Sequence, residues 1–350
     1  MLKQIVQSKK LNDVCYDIRG PILEKANALQ HEGHKILPLN IGNPAPFGFE
    51  ASDEIISHVR NQLNEAQGYI DSKGLPEARQ AIMEEYVAQG IRDINIDDIF
   101  VGNGVSELIS ISMQALLDEG DQVLIPSPDY PLWTASVTLS GGQPIHYHCD
   151  EQANWFPSIS DIKSKINDKT RAIVIINPNN PTGAVYDKQV LKDLIEIARV
   201  NNLIIFSDEI YGKITFDNIH FIPVATLSED VLTVTFSGLS KTYKLAGFRC
   251  GWMVISGPKK IATNYIEGLN ILSNMRLCSN VIAQFAVEPA LKNRSLGQQL
   301  TLPNGRLESQ RNITWNALNN IPGISCIKPG GTFYLFPRLD PKFYNIGNDE

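Results

Sequence analysis

Two uninterrupted apolar runs, Ala172-Ile173-Val174-Ile175-Ile176 and Leu203-Ile204-Ile205-Phe206, constrain this chain more than any other feature. A strand with one face in water alternates polar and apolar residues, so a run without alternation belongs to a strand covered on both faces. Five further runs of strand length, Ile99 to Gly102, Gln122 to Pro126, Pro144 to His148, Val231 to Phe236 and Trp252 to Ser256, alternate with helical patterns such as Val105 to Leu117 and Asp187 to Asn201. The chain is expected to be an α/β protein with a mostly parallel seven-stranded sheet between helices. Functional residues should then gather at the strand ends.

The two ends of the sequence read differently. Leu23 to Gly33 is helical in pattern and leads to a Pro/Gly-rich link, Asn43-Pro44-Ala45-Pro46-Phe47-Gly48. A helical region from Pro258 to about Asn319 precedes a hairpin expected from Ser325 to Lys328 and Thr332 to Pro337, turning at Gly330-Gly331. Residues 1–45 and 306–350 are therefore expected to fold together as a smaller α+β domain, with residues 46–305 forming the large one. At 350 residues and 43% hydrophobic content, the chain can bury a core of that size.

The net charge of −7 comes without acidic or basic blocks, which argues against nucleic acid or an anionic membrane as partner. Five scattered cysteines (Cys15, Cys149, Cys250, Cys278, Cys326) without C-x-x-C spacing fit reduced thiols. The polar start Met1-Leu2-Lys3-Gln4 has no leader pattern, and no apolar run reaches the length of a membrane span. The cytoplasm is the expected compartment.

Lys241 carries the chemistry. It lies in Ser237-Gly238-Leu239-Ser240-Lys241-Thr242-Tyr243, just after an apolar run and eight residues before Arg249. An amine on a strand-end loop, with hydroxyls beside it and a guanidinium nearby, suits pyridoxal phosphate: the amine joins the aldehyde and the guanidinium grips the phosphate. Ser237 or Ser240 can add a hydroxyl. Asp208 ends another strong run, where a carboxylate can keep a pyridine nitrogen protonated; the bland alternative is a cap on the next helix. Tyr211 and Asn180, the latter in Asn177-Pro178-Asn179-Asn180-Pro181-Thr182-Gly183, are candidate donors to the ring's phenolic oxygen.

In Gly102-Asn103-Gly104-Val105-Ser106-Glu107 a strand meets a helix, so the free N–H groups of Gly104, Val105 and Ser106 form an anion site. Glu107 stands where a dinucleotide fingerprint needs its third glycine, which weighs against NAD. Tyr130, in Pro128-Asp129-Tyr130-Pro131, can stack on the ring or fill the core. No metal site is expected, since His31-Glu32-Gly33-His34 lacks the H-E-x-x-H spacing and His146 with His148 has no third ligand.

In this order the motifs, from Gly102 to Glu107 through Asp208-Glu209-Ile210-Tyr211 and Ser240-Lys241 to Gly247-Phe248-Arg249, resemble the class I aminotransferases, fold type I pyridoxal phosphate enzymes. Val14 to Pro21, Asn40 to Gly48 and Ser273 to Cys278 resemble most the bacterial members that exchange glutamate with pyruvate. The resemblance implies amino transfer between alanine or glutamate and a 2-oxo acid, in two half-reactions. It also implies a homodimer in which Tyr69 crosses to the partner's phosphate and Gly42 lies near the substrate carboxylate. Arg19, preceded by Tyr16, is a candidate for the distal carboxylate of glutamate, with a surface ion pair as the alternative.

Members of that family continue for several dozen residues beyond a point like Pro337-Arg338-Leu339-Asp340 and carry there an arginine for the substrate α-carboxylate. No residue here matches it, so a fragment, or a chain without that clamp, is expected. Two alternatives stay open at this point: a carbon-sulfur β-lyase on the same scaffold, and an inactive cofactor-binding protein.

Overall fold

The computed structural model describes residues 5–14, 21–293, 295–296 and 299–345. Its main sheet contains β1 (Ile99–Gly102), β2 (Gln122–Ser127), β3 (Gln143–Asp150), β4 (Phe156–Pro157), β5 (Thr170–Ile176), β6 (Ile204–Asp208), β7 (Thr233–Gly238) and β8 (Gly251–Ser256). The spatial order is β1-β8-β7-β6-β5-β2-β3-β4. Strands β3, β2, β5, β6 and β7 run parallel, while β8 is antiparallel to both β7 and β1. All seven expected strands are present. The eighth, β4, is a two-residue antiparallel edge on β3, too short to leave a period in the sequence.

Helices follow in the order α1 (Pro21–His31), α2 (Asp53–Asn61), α3 (Pro76–Ala88), α4 (Val105–Leu116), α5 (Leu132–Leu139), α6 (Ile159–Lys165), α7 (Lys188–Val200), α8 (Thr263–Met275), α9 (Val281–Gln284), α10 (Val287–Lys292) and α11 (Arg306–Asn319). The unbroken strands explain the two helical layers. Along β5, Ala172, Val174 and Ile176 face Leu108, Ile109, Met113 and Leu269 of α4 and α8, while Ile173 and Ile175 face Leu191, Leu194 and Ala198 of α7. Each of the valine, leucine, isoleucine and methionine side chains among them contributes ~1.5–3 kcal/mol on burial, which fixes the register of the strand ends that carry the site. Among the described residues no helix is long and apolar enough to cross a membrane.

The helical region expected after Pro258 comprises α8 to α11, and Asn280 begins α9 by accepting from the Ala283 N–H with its side chain (3.3 Å). One expectation for the C-terminal third needs correction: the hairpin at Gly330-Gly331 does not form. Only β9 (Ile324–Ser325) and β10 (Arg338–Leu339) pair, antiparallel, at the far ends of that segment. The glycines turn outward instead: Gly330 and Gly331 N–H groups both donate to the Gly183 carbonyl at 2.9 Å, and Gly331 bridges Thr215. Docking on the loops after β5 and β6 outcompetes a local turn because it satisfies the same backbone groups while burying Gly331 and Thr332.

A small apolar cluster sits at this junction, with Tyr211, Ile214, Phe216 and Leu300 buried against Phe49, Leu307, Phe333 and Tyr334. Arg311 on α11, almost fully buried, clamps it by a bidentate pair with Asp217 (2.7 Å to each oxygen) and a bond to the Pro329 carbonyl (3.1 Å). The clamp pulls the Asp217 carboxyl down to about 2, chiefly through the Arg311 hydrogen bonds. Segment 40–49 also meets the C-terminal third here: Arg306 donates to the Phe47 carbonyl (2.6 Å) and the Gly42 N–H donates to the Tyr334 hydroxyl (3.3 Å).

Candidate active site

Strand ends β1, β2, β5, β6 and β7 deliver the expected residues to one edge of the sheet. Asp208 is the last residue of β6 and is buried. It does not cap a helix; its carboxylate accepts from the Ile210 N–H (3.3 Å) and from the Trp133 indole Nε1 (3.3 Å). Burial pushes the carboxyl up to about 6, against the two hydrogen bonds and the Lys241 charge, which lower it. A cationic group above it would reverse that rise, which is the condition under which Asp208 is fully ionised at neutral pH.

Lys241 follows β7 on a half-buried turn, and its Nζ donates to the Gly42 carbonyl at 2.9 Å. Burial, and after it the Arg249 charge, bring the ammonium down to about 8 against the opposing pull of Asp208. Near neutral pH a useful fraction of the amine is therefore unprotonated and nucleophilic. Ser240 precedes it, also half-buried.

The phosphate-like cup forms as its sequence pattern requires. Gly104, at φ +87, is the residue before α4, and a Cβ there would lie 2.3 Å from Arg249 Nη2. Only glycine lets the guanidinium come so close to the helix N-terminus. Arg249 reaches Ser106 Oγ (3.1 Å) and the Asn103 carbonyl (3.3 Å), so it lies beside the free amides of Val105 and Ser106. Glu107, the misfit in a dinucleotide fingerprint, closes the loop by accepting from Asn103 N (2.7 Å) and Asn103 Nδ2 (3.0 Å).

Asn180 is half-buried in a loop pinned by its neighbours: Asn177 Oδ1 accepts from Tyr186 N (2.9 Å) and Asn179 Oδ1 from Thr182 N and Oγ1 (3.2 and 2.8 Å). Tyr130 is half-buried at the end of β2 and close enough to Tyr211 for its charge to raise that phenol. Tyr211 is buried, with Lys241 Nζ 5.8 Å from its ring centre. Its hydroxyl donates to the Tyr334 hydroxyl at 2.8 Å, so the proton expected to point into the site is engaged elsewhere in this state. Tyr69 is 81% exposed. Arg19 and Tyr16 lie outside the described residues.

Three functional neighbours escaped the motif reading. Trp133 holds Asp208; its place three residues after Tyr130 was the available signal. Glu209, buried, accepts from Ser207 Oγ (2.8 Å) and Val224 N (2.9 Å), stapling both ends of the excursion that carries Tyr211; burial pushes it up to about 7. Tyr334 had no signal except its glycine-rich approach.

A carboxylate, an amine and an anion cup therefore converge with tunable donors around them. Gly104 leaves the cup open to a large oxyanion, Asp208 gains from a protonated ring nitrogen, and Lys241 is a reactive amine. This donor set fits pyridoxal phosphate.

Comparison with known proteins agrees. The profile of the family described as aminotransferase class I and II matches residues 34–349. The glutamate-pyruvate aminotransferase AlaA of Escherichia coli (strain K12) is 57% identical over 349 residues, spanning 100% of this chain and 86% of that protein. An alanine aminotransferase of Mycobacterium tuberculosis is 54% identical over 99% of this chain and 81% of its own length. A crystal structure of an aminotransferase from Escherichia coli matches with a TM-score of 0.97 at 58% identity, covering 99% of this chain and 86% of that one. The mixed α/β sheet, the strand-end constellation and these likenesses make the chain a member of the class I and II aminotransferases, an enzyme family that implies pyridoxal phosphate.

Proposed function

We propose that this enzyme moves the amino group between alanine and glutamate, with pyruvate and 2-oxoglutarate as the oxo acids. The supporting observation is the Lys241 amine, brought down to about 8 beside Asp208 in a site whose anion cup is already formed. The names of the relatives at 54–58% identity favour transfer over elimination and supply the substrate pair.

When bound, pyridoxal phosphate supplies an aldehyde for the lysine amine and a ring that accepts the electron pair left at the substrate Cα. Gly104, Val105 and Ser106 amides with Arg249 and Ser240 would hold the phosphate. Asp208, kept in place by Trp133, holds the ring-nitrogen proton. Tyr211 and Asn180 would donate to the phenolic oxygen, and Tyr130 would cover the ring. Lys241 Nζ, once free, would take the proton from the substrate Cα and deliver it two atoms along, to the carbon that was the cofactor's aldehyde. Gly42, whose carbonyl accepts from that amine, would meet the substrate carboxylate, a reading that the family resemblance supports.

Two finer assignments belong to the same proposal. A homodimer would cover the exposed Tyr69 and bring it to the partner's phosphate site; sedimentation of a monomer would remove this assignment. Arg19 would bind the distal carboxylate of glutamate, so Arg19→Ala should raise KM for glutamate far more than for alanine, and equal loss for both would count against it. The direct test of the reaction is initial-rate kinetics with alanine and 2-oxoglutarate. Parallel double-reciprocal lines are expected; pyruvate and ammonia released without an oxo acid would point to elimination instead.

A further inference from the structure

Tyr334 stands where three parts of the site meet. Its half-buried hydroxyl accepts from Tyr211 (2.8 Å) and from the Gly42 N–H (3.3 Å), while the Gly42 carbonyl accepts from Lys241 Nζ (2.9 Å). The fit is tight, since a Cβ on Gly42 would lie 2.6 Å from the Tyr334 hydroxyl oxygen.

The backbone that presents Tyr334 is strained. Thr332 is β-branched yet sits at φ +68, fully buried, with its N–H on the Ile214 carbonyl (3.0 Å) and its Oγ1 accepting from Tyr334 N (3.2 Å). Such a conformation costs about 1–3 kcal/mol and persists only where the surroundings dictate it, which happens most at functional sites.

A phenol has one proton, and that of Tyr211 is turned toward Tyr334 in this state. For Tyr211 to donate into the cofactor site it must reverse. Tyr334 then donates to the Tyr211 oxygen while still accepting from Gly42, which gives one directed chain from the Gly42 N–H through Tyr334 and Tyr211. Each bond in such a chain polarises the next. The titratable groups facing Tyr211 are Tyr334, Asp208, Tyr130 and Lys241; the one facing Tyr334 is Tyr211, beside the non-titrating Gly42 amide. Burial raises both phenols, so neither ionises near neutral pH and the chain carries direction, not charge.

We propose that Tyr334 is a positioning residue that couples the docking of Gly42 to the strength with which Tyr211 donates to the cofactor's phenolic oxygen. This rests on the cofactor roles given above to Lys241 and Tyr211.

The test is a spectrophotometric pH titration of the holoenzyme's visible cofactor band. A donor to the phenolic oxygen favours its anion and so lowers the midpoint; weakening the donor raises it. Tyr334→Phe keeps the ring that packs edge-on to Tyr211 (5.8 Å, 76°) but breaks the chain. Its midpoint should rise by about half a pH unit, given a 10–30% effect per bond. Tyr211→Phe should raise it more, and the double variant should match Tyr211→Phe alone. Gly42→Ala, which displaces the Tyr334 hydroxyl from the other side, should shift the midpoint in the same direction as Tyr334→Phe. An unmoved midpoint in Tyr334→Phe, or shifts that add fully in the double variant, would overturn the inference while leaving the cofactor assignment intact. A wild-type protein that develops no visible band with pyridoxal phosphate would overturn both.

Discussion

Replacing Lys241 with Met tests whether a reactive amine is held at the expense of the fold. In the cofactor-free protein the ammonium is half-buried, and its affinity for a proton falls from 10.5 to about 8, first through burial and then through Arg249. That gap corresponds to roughly 3 kcal/mol, and partial access of water reduces it to ~2 kcal/mol. The sign follows from proton counting. Between about pH 8 and 10.5 the unfolded chain holds a proton at this lysine that the folded chain does not, so stability rises with pH across that window. Below pH 8 both states are protonated and the folded state carries the full cost. Methionine has similar volume and no charge, so Lys241→Met should be more stable than the parent by ~2 kcal/mol at pH 7.5, and the two should converge toward pH 10.5. Titrating groups out of reach of Lys241 cancel in the difference, Asp208, whose carboxyl feels the Lys241 charge, ionises below the pH 8 to 10.5 window, and loss of the bond to the Gly42 carbonyl adds only a constant offset. Urea unfolding of cofactor-free protein at several pH values reads the difference directly. A gap that does not change with pH would refute the claim that burial depresses this amine.

Three further outcomes are expected. Trp133→Phe removes a donor to the buried Asp208, raising that carboxyl beyond about 6 in the cofactor-free protein; the loss of denaturant stability relative to the parent should therefore grow as pH rises through ~6 to 7, and a difference that stays flat with pH would separate Trp133 from this carboxyl. Arg311→Met leaves Asp217 with Lys328 alone and should cost about 3 kcal/mol in denaturant unfolding, and the double variant with Asp217→Asn should recover part of that loss. Gly104→Ala puts a Cβ against Arg249 at φ +87, so pyridoxal phosphate affinity should drop by at least tenfold from ~1–2 kcal/mol of backbone strain and a displaced guanidinium, as measured by equilibrium dialysis.

Where the sequence was legible, the reason was local. Ala172 to Ile176 and Leu203 to Phe206 announce buried strands because nothing polar interrupts them, and Asp208 and Lys241 stand out because strand ends are where charge can stay. Gly104 before Val105 forecasts a helix start with open amides. Contacts across space left no such trace. Trp133 meets Asp208 over 75 positions, and Tyr211 meets Tyr334 over 123, pairings that only the closed sheet creates. The hairpin misreading has the same origin, since a glycine pair favours a turn only until a better acceptor, the Gly183 carbonyl, competes for its amides.

That single oxygen has a lasting effect on how the enzyme can be altered. Because Gly183 ends the asparagine loop and also receives both glycine amides leading toward Tyr334, the two stretches form one mechanical unit despite lying some 150 positions apart. Grafting a substrate-facing segment from a relative would therefore succeed only if the loop after β5 travelled with it, and drift at either stretch is restrained by the other.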